Sequence, residues 1–102
     1  MKTKEIKIPT PTIGQILRDE FLEPLHLSGY RLAKEINVST SSIIDILNNK
    51  RRITVDMALR FSKFFGNTER FWLNLQNDID LRNLREKLHH ELEKIHTFKR
   101  SA

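Results

Sequence analysis

Residues that interrupt regular secondary structure are scarce, and this scarcity constrains the fold more than any other feature of the sequence. Only three Gly and three Pro occur among 102 residues, and two of the Pro lie within the first eleven. Gly and Pro are the residues that most often interrupt regular structure, so the body of the chain is predicted to consist of helices joined by short turns. Residues 3–8 alternate weakly between polar and apolar and predict a short extended arm at best. The predicted fold class is all-α.

Five hydroxyl residues indicate where the helices begin, because Ser and Thr accept hydrogen bonds from the free N–H groups of a first helical turn. The predicted caps are Thr12, Ser28, Ser39, Thr54 and Thr68. Helices are expected over 14–23, 29–36, 40–48, 55–65 and 69–94, with a bend or break near 77–78. Pro24, Asn37, Asn49 and Gly66 are expected to end helices or form the joints between them. The predicted organisation is an arm (1–11), a helical domain (12–76) and a C-terminal helical extension (77–102).

Helices 29–36 and 40–48 have the outline of a helix-turn-helix, since both are short and amphipathic and about three residues separate them. Ala33 is the small residue that lets the second helix cross close to the first. Three aliphatic residues occupy the positions that hold the two helices together: Val38, Ile43 and Ile46. The alternative is a plain helical bundle with a solvated basic loop.

The helix over 40–48 is predicted to present four side chains outward, because a rotation of 100° per residue turns them away from its apolar side. Small hydroxyls, a short acid and an amide can reach base edges in a DNA groove, and isoleucine methyls can meet the methyl of thymine. The predicted base contacts are Ser41, Ile44, Asp45 and Asn48.

Positive charge is concentrated in the middle of the chain. The net charge is +5, and its densest point is the basic triplet at 50–52. Basic side chains and free N–H groups at a helix start are what phosphate oxygens require. The predicted phosphate contacts are Tyr30, Arg31, Ser39, Thr40, Lys50, Arg51, Arg52 and Thr54. For Tyr30, simple packing is an equal alternative. The predicted partner is double-stranded DNA.

Apolar residues late in the chain predict a core and a contact with another chain. The aromatic residues of 61–72 have the helical spacing typical of a core, and some are expected at a dimer interface. A narrow leucine stripe follows, which must either fold back or pair with a second surface. The residues predicted for a dimer or partner contact are Phe71, Trp72, Leu75, Leu81, Leu84 and Leu88.

The sequence lacks the residues that several classes of function require. The chain has no Cys, which excludes thiolate metal sites and a cysteine nucleophile. His89, Glu93 and His96 share a helical face but lack a fourth ligand, so no metal is predicted. We find no catalytic constellation, and we expect no enzyme activity, no cofactor and no small-molecule substrate. No signal peptide and no long apolar run is visible, so the expected location is the cytoplasm, without a membrane partner.

Six runs between residues 11 and 76 resemble a known family. They are GQILRDEFLEPL (14–25), YRLAK (30–34), ILNNKRRIT (46–54), ALR (58–60), FFGNT (64–68) and FWLNLQ (71–76). The region is similar to the HigA-type antitoxins, also named virulence-associated protein I, within the Xre/Cro-like helix-turn-helix class. This resemblance implies a five-helix, lambda-repressor-like domain. The sequence departs from the family pattern at four positions. Gly29 stands where Gln is frequent, Ser42 where Arg is frequent, Ile44 where a polar residue is frequent and Asn49 where Gly is frequent.

The resemblance also implies a function. It predicts an antitoxin that neutralises a HigB-like toxin, a small ribosome-associated mRNA endonuclease, and that represses its own operon as a homodimer. One alternative is a stand-alone Xre-type repressor without a toxin partner. Another is an inhibitor that acts only by binding protein and whose helix-turn-helix is vestigial. The outward position of Asp45 and the absence of Arg at Ser42 favour this second alternative.

Overall fold

The structure, a computed structural model, describes residues 10–99. Within that range all regular structure is helical, so the prediction of an all-α fold is confirmed. The predicted arm lies almost wholly outside the described residues. The elements are α1 (Ile13–Ile16), a π-helical continuation of it (Leu17–Leu22), α2 (Gly29–Glu35), α3 (Thr40–Leu47), α4 (Val55–Phe65), α5 (Glu69–Lys87) and α6 (His89–Glu93).

All five predicted caps are confirmed. Each hydroxyl accepts a hydrogen bond from the backbone N–H three residues later, at 3.0 to 3.2 Å. At Thr12 the arrangement is reciprocal, because the Thr12 N–H donates to Oε1 of Gln15 at 3.0 Å. Such pairs satisfy donors that a helix start would otherwise leave free. Local hydrogen bonding of this kind explains why the helix starts follow directly from the sequence.

The helix ends also follow local chemistry. Asn37 and Asn49 adopt left-handed backbone with φ of 58° and 61°, and Gly66 does so with φ of 80°, as predicted. The first helix stops ahead of Pro24, but its last part is wider than an α-helix. There the Glu23 N–H donates to the carbonyl of Arg18, five residues back, at 2.9 Å. This π-helical turn was not predicted, because apolar spacing does not distinguish it from an α-helix.

The C-terminal segment differs from the prediction. We expected a bend near 77–78, and this is wrong: α5 runs unbroken through Asn77 and Asp78 to Lys87. Gln76 and Ile79 are buried on either side of that pair and hold this turn of α5 against the domain. The helix breaks at Leu88 instead, and every residue from 81 to 99 is exposed. The extension therefore does not fold back onto the domain.

The core lies among α1 to α5 and is centred on aromatic rings. Phe61 and Trp72 are fully buried, with ring centroids 5.0 Å apart, and Phe21 lies 4.6 Å from Trp72. Nε1 of Trp72 donates to Oδ1 of Asn67 at 2.9 Å. The prediction of Trp72 as a dimer or partner contact is therefore wrong, because its side chain is enclosed within the domain. Leu75 is half-buried, and the other four residues of that set are exposed.

Candidate nucleic-acid interface

Helix α3 presents one polar face outward. Ile43 and Ile46 are fully buried beneath it. The four residues predicted to contact bases lie together on its outer side, with Asp45 half-buried and Ser41, Ile44 and Asn48 exposed. Their spacing of three, four and seven residues explains why they share one face. The face is open, and its side chains are of the sizes and polarities that reach base edges.

The turn between α2 and α3 is fixed by a side chain from α4. Arg60 donates through Nη1 to the carbonyl oxygens of Ile36 at 2.7 Å and of Asn37 at 3.3 Å. Its Nε donates to Asp56 at 2.7 Å, which orients the guanidinium. Charged donors on backbone carbonyls are among the stronger hydrogen bonds in proteins. Arg60 therefore connects the turn before α3 to α4, a role that no local sequence pattern indicates.

The end of α3 is fixed against the start of α1. Oδ1 of Asn49 accepts a hydrogen bond from the Gly14 N–H at 2.9 Å. The backbones approach so closely that a Cβ on Gly14 would lie 2.1 Å from the carbonyl oxygen of Leu47. Gly14 is therefore required at this contact. Asn49, identified above as a departure from the family pattern, both adopts the left-handed backbone and supplies this bond.

The three basic residues after α3 have different surroundings. Lys50 is exposed, and its side chain makes no hydrogen bond or ion pair with the described part of the chain. Arg51 lies beside Asp45, with 3.6 Å between Nη2 and Oδ2. Arg52 forms an ion pair with Asp80 of α5. Both arginine side chains remain at least half exposed, so the loop still presents positive charge to solvent.

A buried amide connects this loop to α5. Gln76 is 6% exposed, and its Oε1 accepts the N–H of Ile53 at 2.9 Å. Its Nε2 donates to Oδ1 of Asp80 at 3.1 Å. The sequence prediction missed Gln76 and Asp80, because their contacts to the loop, with Ile53 and Arg52, join residues 23 and 28 positions apart.

The remaining predicted phosphate contacts lie around the ends of α2, α3 and α4. Tyr30 is exposed rather than packed in the core, and Nζ of Lys34 lies 5.4 Å from its ring centroid. Arg31 pairs with Glu35 at 2.6 Å. Ser39 and Thr54 cap α3 and α4, and Thr40 is the first residue of α3. Six of the eight residues thus lie at the start of α3, in the loop that follows it or at the start of α4, and Tyr30 and Arg31 lie on α2.

Two departures from the family pattern lie next to each other. A Cβ on Gly29 would lie 3.2 Å from Cδ1 of Leu47 and 3.5 Å from Cδ1 of Ile44. Residue 29 therefore faces α3, and the absence of a side chain there leaves Ile44 as the apolar part of the surface. Between residues 10 and 99 no group of three or more His, Asp or Glu could hold a metal ion. No helix in that range is long and apolar enough to cross a membrane.

Comparison with known proteins agrees with this geometry. A helix-turn-helix family model matches residues 19–73, which span α2, the turn and α3. The chain belongs to the helix-turn-helix family. Virulence-associated protein I of Dichelobacter nodosus is 43% identical over 76 residues, which are 74% of this chain and 70% of that protein.

Solved structures of the family are also similar. The Pseudomonas aeruginosa antitoxin HigA, determined with the higBA promoter, has 33% sequence identity and a TM-score of 0.81, covering 85% of this chain and 95% of that one. The antitoxin GraA in complex with its operator has 30% identity and a TM-score of 0.83, covering 97% and 100%. The resemblance to HigA-type antitoxins is thereby confirmed.

Proposed function

We propose that this helix-turn-helix protein is the antitoxin of a toxin–antitoxin pair. It binds operator DNA upstream of its own gene as a homodimer, and it binds and neutralises a HigB-like toxin that cleaves mRNA. The single observation that carries the DNA-binding part is the open polar face of α3, bordered by the basic loop 50–52, on a fold shared with HigA and GraA. The proposed role as an antitoxin is supported by the similarity to HigA and GraA, which are both antitoxins.

The predicted division of roles follows from the chemistry of the face. Ser41, Ile44, Asp45 and Asn48 contact bases, because they lie together on the outer side of α3 and none of them is buried. The basic loop and the residues at the starts of α2, α3 and α4 hold phosphates, which fixes the position of α3 without reading sequence. Lys50 contributes most readily, since its ammonium group pairs with no carboxylate of residues 10–99.

Reading a palindromic operator requires two copies of α3 about 34 Å apart. The exposed stripe of Leu81, Leu84 and Leu88 supports a dimer contact through α5, because apolar side chains at helical spacing bury well only against a second surface. Phe71 and Leu75 lie earlier on the same helix. The same C-terminal segment or the Lys-rich N-terminal arm, residues 1–11, holds the toxin.

The first test is a titration of the protein into labelled DNA from upstream of its own gene, followed by fluorescence anisotropy at two salt concentrations. Random DNA is the control. Binding at least ~10³-fold tighter to the upstream DNA is expected for a specific regulator. Equal and steeply salt-dependent binding to both duplexes would contradict autoregulation, because contacts to phosphate alone produce that behaviour.

Two variants separate base contacts from phosphate contacts. Asn48→Ala is expected to reduce discrimination by about 1–3 kcal/mol at one base pair, whereas Arg51→Ala weakens binding to all sequences and lowers the salt slope by about one. Lys63→Ala is the matched charge control, since it lies toward the far end of α4. If Asn48→Ala and Arg51→Ala act alike on all DNA, the assignment of α3 as the reading helix is wrong.

One observation favours a second candidate, an inhibitor that acts only on a protein partner. Two of the three basic residues after α3 pair with acids of this same chain. Under this alternative the protein would bind the toxin with no preference for its upstream DNA. Co-purification with the toxin from a two-gene expression, combined with the titration above, distinguishes the two candidates.

A further inference from the structure

The basic loop is anchored to α5 through a polar side chain inside the domain. Gln76 is more than nine-tenths buried, and both ends of its amide are bonded, to the Ile53 N–H at 2.9 Å and to Asp80 at 3.1 Å. Ile53 is itself buried, so the backbone that follows Arg52 has little freedom. The position of the loop is therefore set by α5 as well as by α3.

Asp80 has a second contact, to the charge of the loop. Its Oδ1 accepts from Gln76, and its Oδ2 pairs with Nη1 of Arg52. The Asp80 side chain is 28% exposed and that of Arg52 is 63% exposed. While Arg52 pairs with Asp80, its charge is neutralised within the chain and is not available to a phosphate, which would otherwise make the same charge-assisted hydrogen bonds. Asp80 thus competes with DNA for Arg52.

We propose that Gln76 and Asp80 are positioning residues for DNA binding, an inference that rests on the proposed DNA-binding function of α3. Gln76 fixes the backbone of the basic loop, and Asp80 limits how much of the Arg52 charge is available to phosphate. The strength of the sequence-independent part of binding is therefore controlled from α5. That helix also carries the exposed leucines, which begin at the residue after Asp80.

The test is Asp80→Asn in the full chain, measured by anisotropy on upstream and random duplexes across a salt series. Asn keeps an oxygen for Gln76 but removes the charge that holds Arg52. Affinity for both duplexes is expected to rise about fivefold to tenfold near 0.1 M salt, and the salt slope to steepen by about 0.9, the value for one more neutralised phosphate. Asp78→Asn is the matched control, because it removes the same charge from an exposed position on α5.

A double variant tests whether Asp80 acts through Arg52. In the double variant Asp80→Asn with Arg52→Ala, the gain over Arg52→Ala alone should disappear. The proposal for Asp80 is overturned if Asp80→Asn and Asp78→Asn have equal salt slopes. It is also overturned if the double variant keeps the gain, because the effect would then be one of net charge.

The role of Gln76 is tested with Gln76→Met, which preserves the length of the side chain and leaves the Ile53 N–H without its acceptor. Weaker binding to both duplexes is expected from a variant that circular dichroism shows to be folded at the assay temperature. A folded variant with unchanged affinity overturns the role of Gln76. If Gln76→Met does not fold, the Asp80 variants decide the proposal.

Failure of the proposed function gives a different result. If the unaltered chain shows no preference for its upstream DNA, autoregulation is contradicted. The steeper salt slope of Asp80→Asn on random DNA would still be measurable and would still decide the inference.

Discussion

Two parts of the chain use apolar residues at helical spacing in opposite ways. From Ile13 to Ile79 the helices enclose fifteen apolar residues, including Phe61 and Trp72. From residue 81 to residue 99 the chain is also largely helical and carries Leu81, Leu84, Leu88 and Leu92 at helical spacing, yet every residue is exposed. The same apolar periodicity therefore belongs to a core in one part and to an uncovered surface in the other.

The difference shows what apolar spacing does and does not determine. It fixes which side of a helix is apolar, but not whether that side meets the same chain. In the packed part, contacts between α4 and α5 and between α2 and α3 supply the second surface. In the extension no element of the described chain supplies it, so its leucines add no burial to the core.

The largest expected effect is a loss of stability on truncating a Phe of the packed part, compared with truncating a Phe of the extension. Phe61→Ala removes a fully buried ring and should destabilise the domain by about 3–5 kcal/mol, because truncating a buried Phe loses both the transfer free energy and the packing around the cavity. Phe98 is 84% exposed, and Phe98→Ala should change stability by less than ~0.5 kcal/mol. Chemical denaturation followed by circular dichroism measures both. Equal destabilisation would mean that the extension is packed in solution.

An intermediate loss of stability is expected when Arg60 of the packed part is truncated, and almost none when Arg82 of the exposed part is. Arg60→Ala removes the donors that hold Ile36 and Asn37, and it should cost about 1.5–3 kcal/mol, the range for hydrogen bonds to charged groups. Arg82, on the exposed part of α5, is the matched control, with a change within ~0.5 kcal/mol. Thermal unfolding of both variants provides the comparison. If Arg60→Ala is as stable as Arg82→Ala, α4 does not hold the turn.

The smallest effect on the folded domain is expected at the leucine stripe. Leu84 and Leu59 are 50% and 51% exposed, the first on α5 and the second on α4. Leu84→Ala should leave monomer stability nearly unchanged but raise the dissociation constant of the dimer at least about tenfold, or ~1.4 kcal/mol. Leu59→Ala should leave dimerisation unchanged. Sedimentation velocity across a concentration series measures this, and the reverse outcome would place the interface on α4.

Much of the fold could be predicted from the sequence, because its signals are local. Capping hydroxyls act on an N–H three residues away, and Asn or Gly at a joint acts on its own backbone. The starts of five helices and the left-handed joints at Asn37, Asn49 and Gly66 follow from such signals. The outer face of α3 follows equally from helical periodicity.

Other features depend on contacts between distant residues and carry no local signal. Arg60 reaches a turn 23 or 24 positions away, Asn49 reaches back 35 positions to Gly14, and Asp80 lies 28 positions from Arg52. Apolar spacing predicted that the aromatic residues of 61–72 belong to a core, but it could not separate Trp72, which is buried, from Phe71, which is exposed, because a core and an interface share the same pattern. The break at Leu88 was missed because residues 85–96 contain no Gly, Pro, Ser, Thr, Asn or Asp, so nothing local in the sequence marks it.

The position of Trp72 has a consequence for optical spectroscopy. The chain contains a single Trp and a single Tyr, and the two residues lie in opposite surroundings. Trp72 is enclosed by Phe rings, so its emission should be that of an indole shielded from water and should shift to longer wavelength only when the domain unfolds. Tyr30 is exposed on α2, so a ligand at that surface would alter its fluorescence while leaving the indole signal unchanged. Unfolding and surface binding can thus be followed at separate wavelengths without an added label.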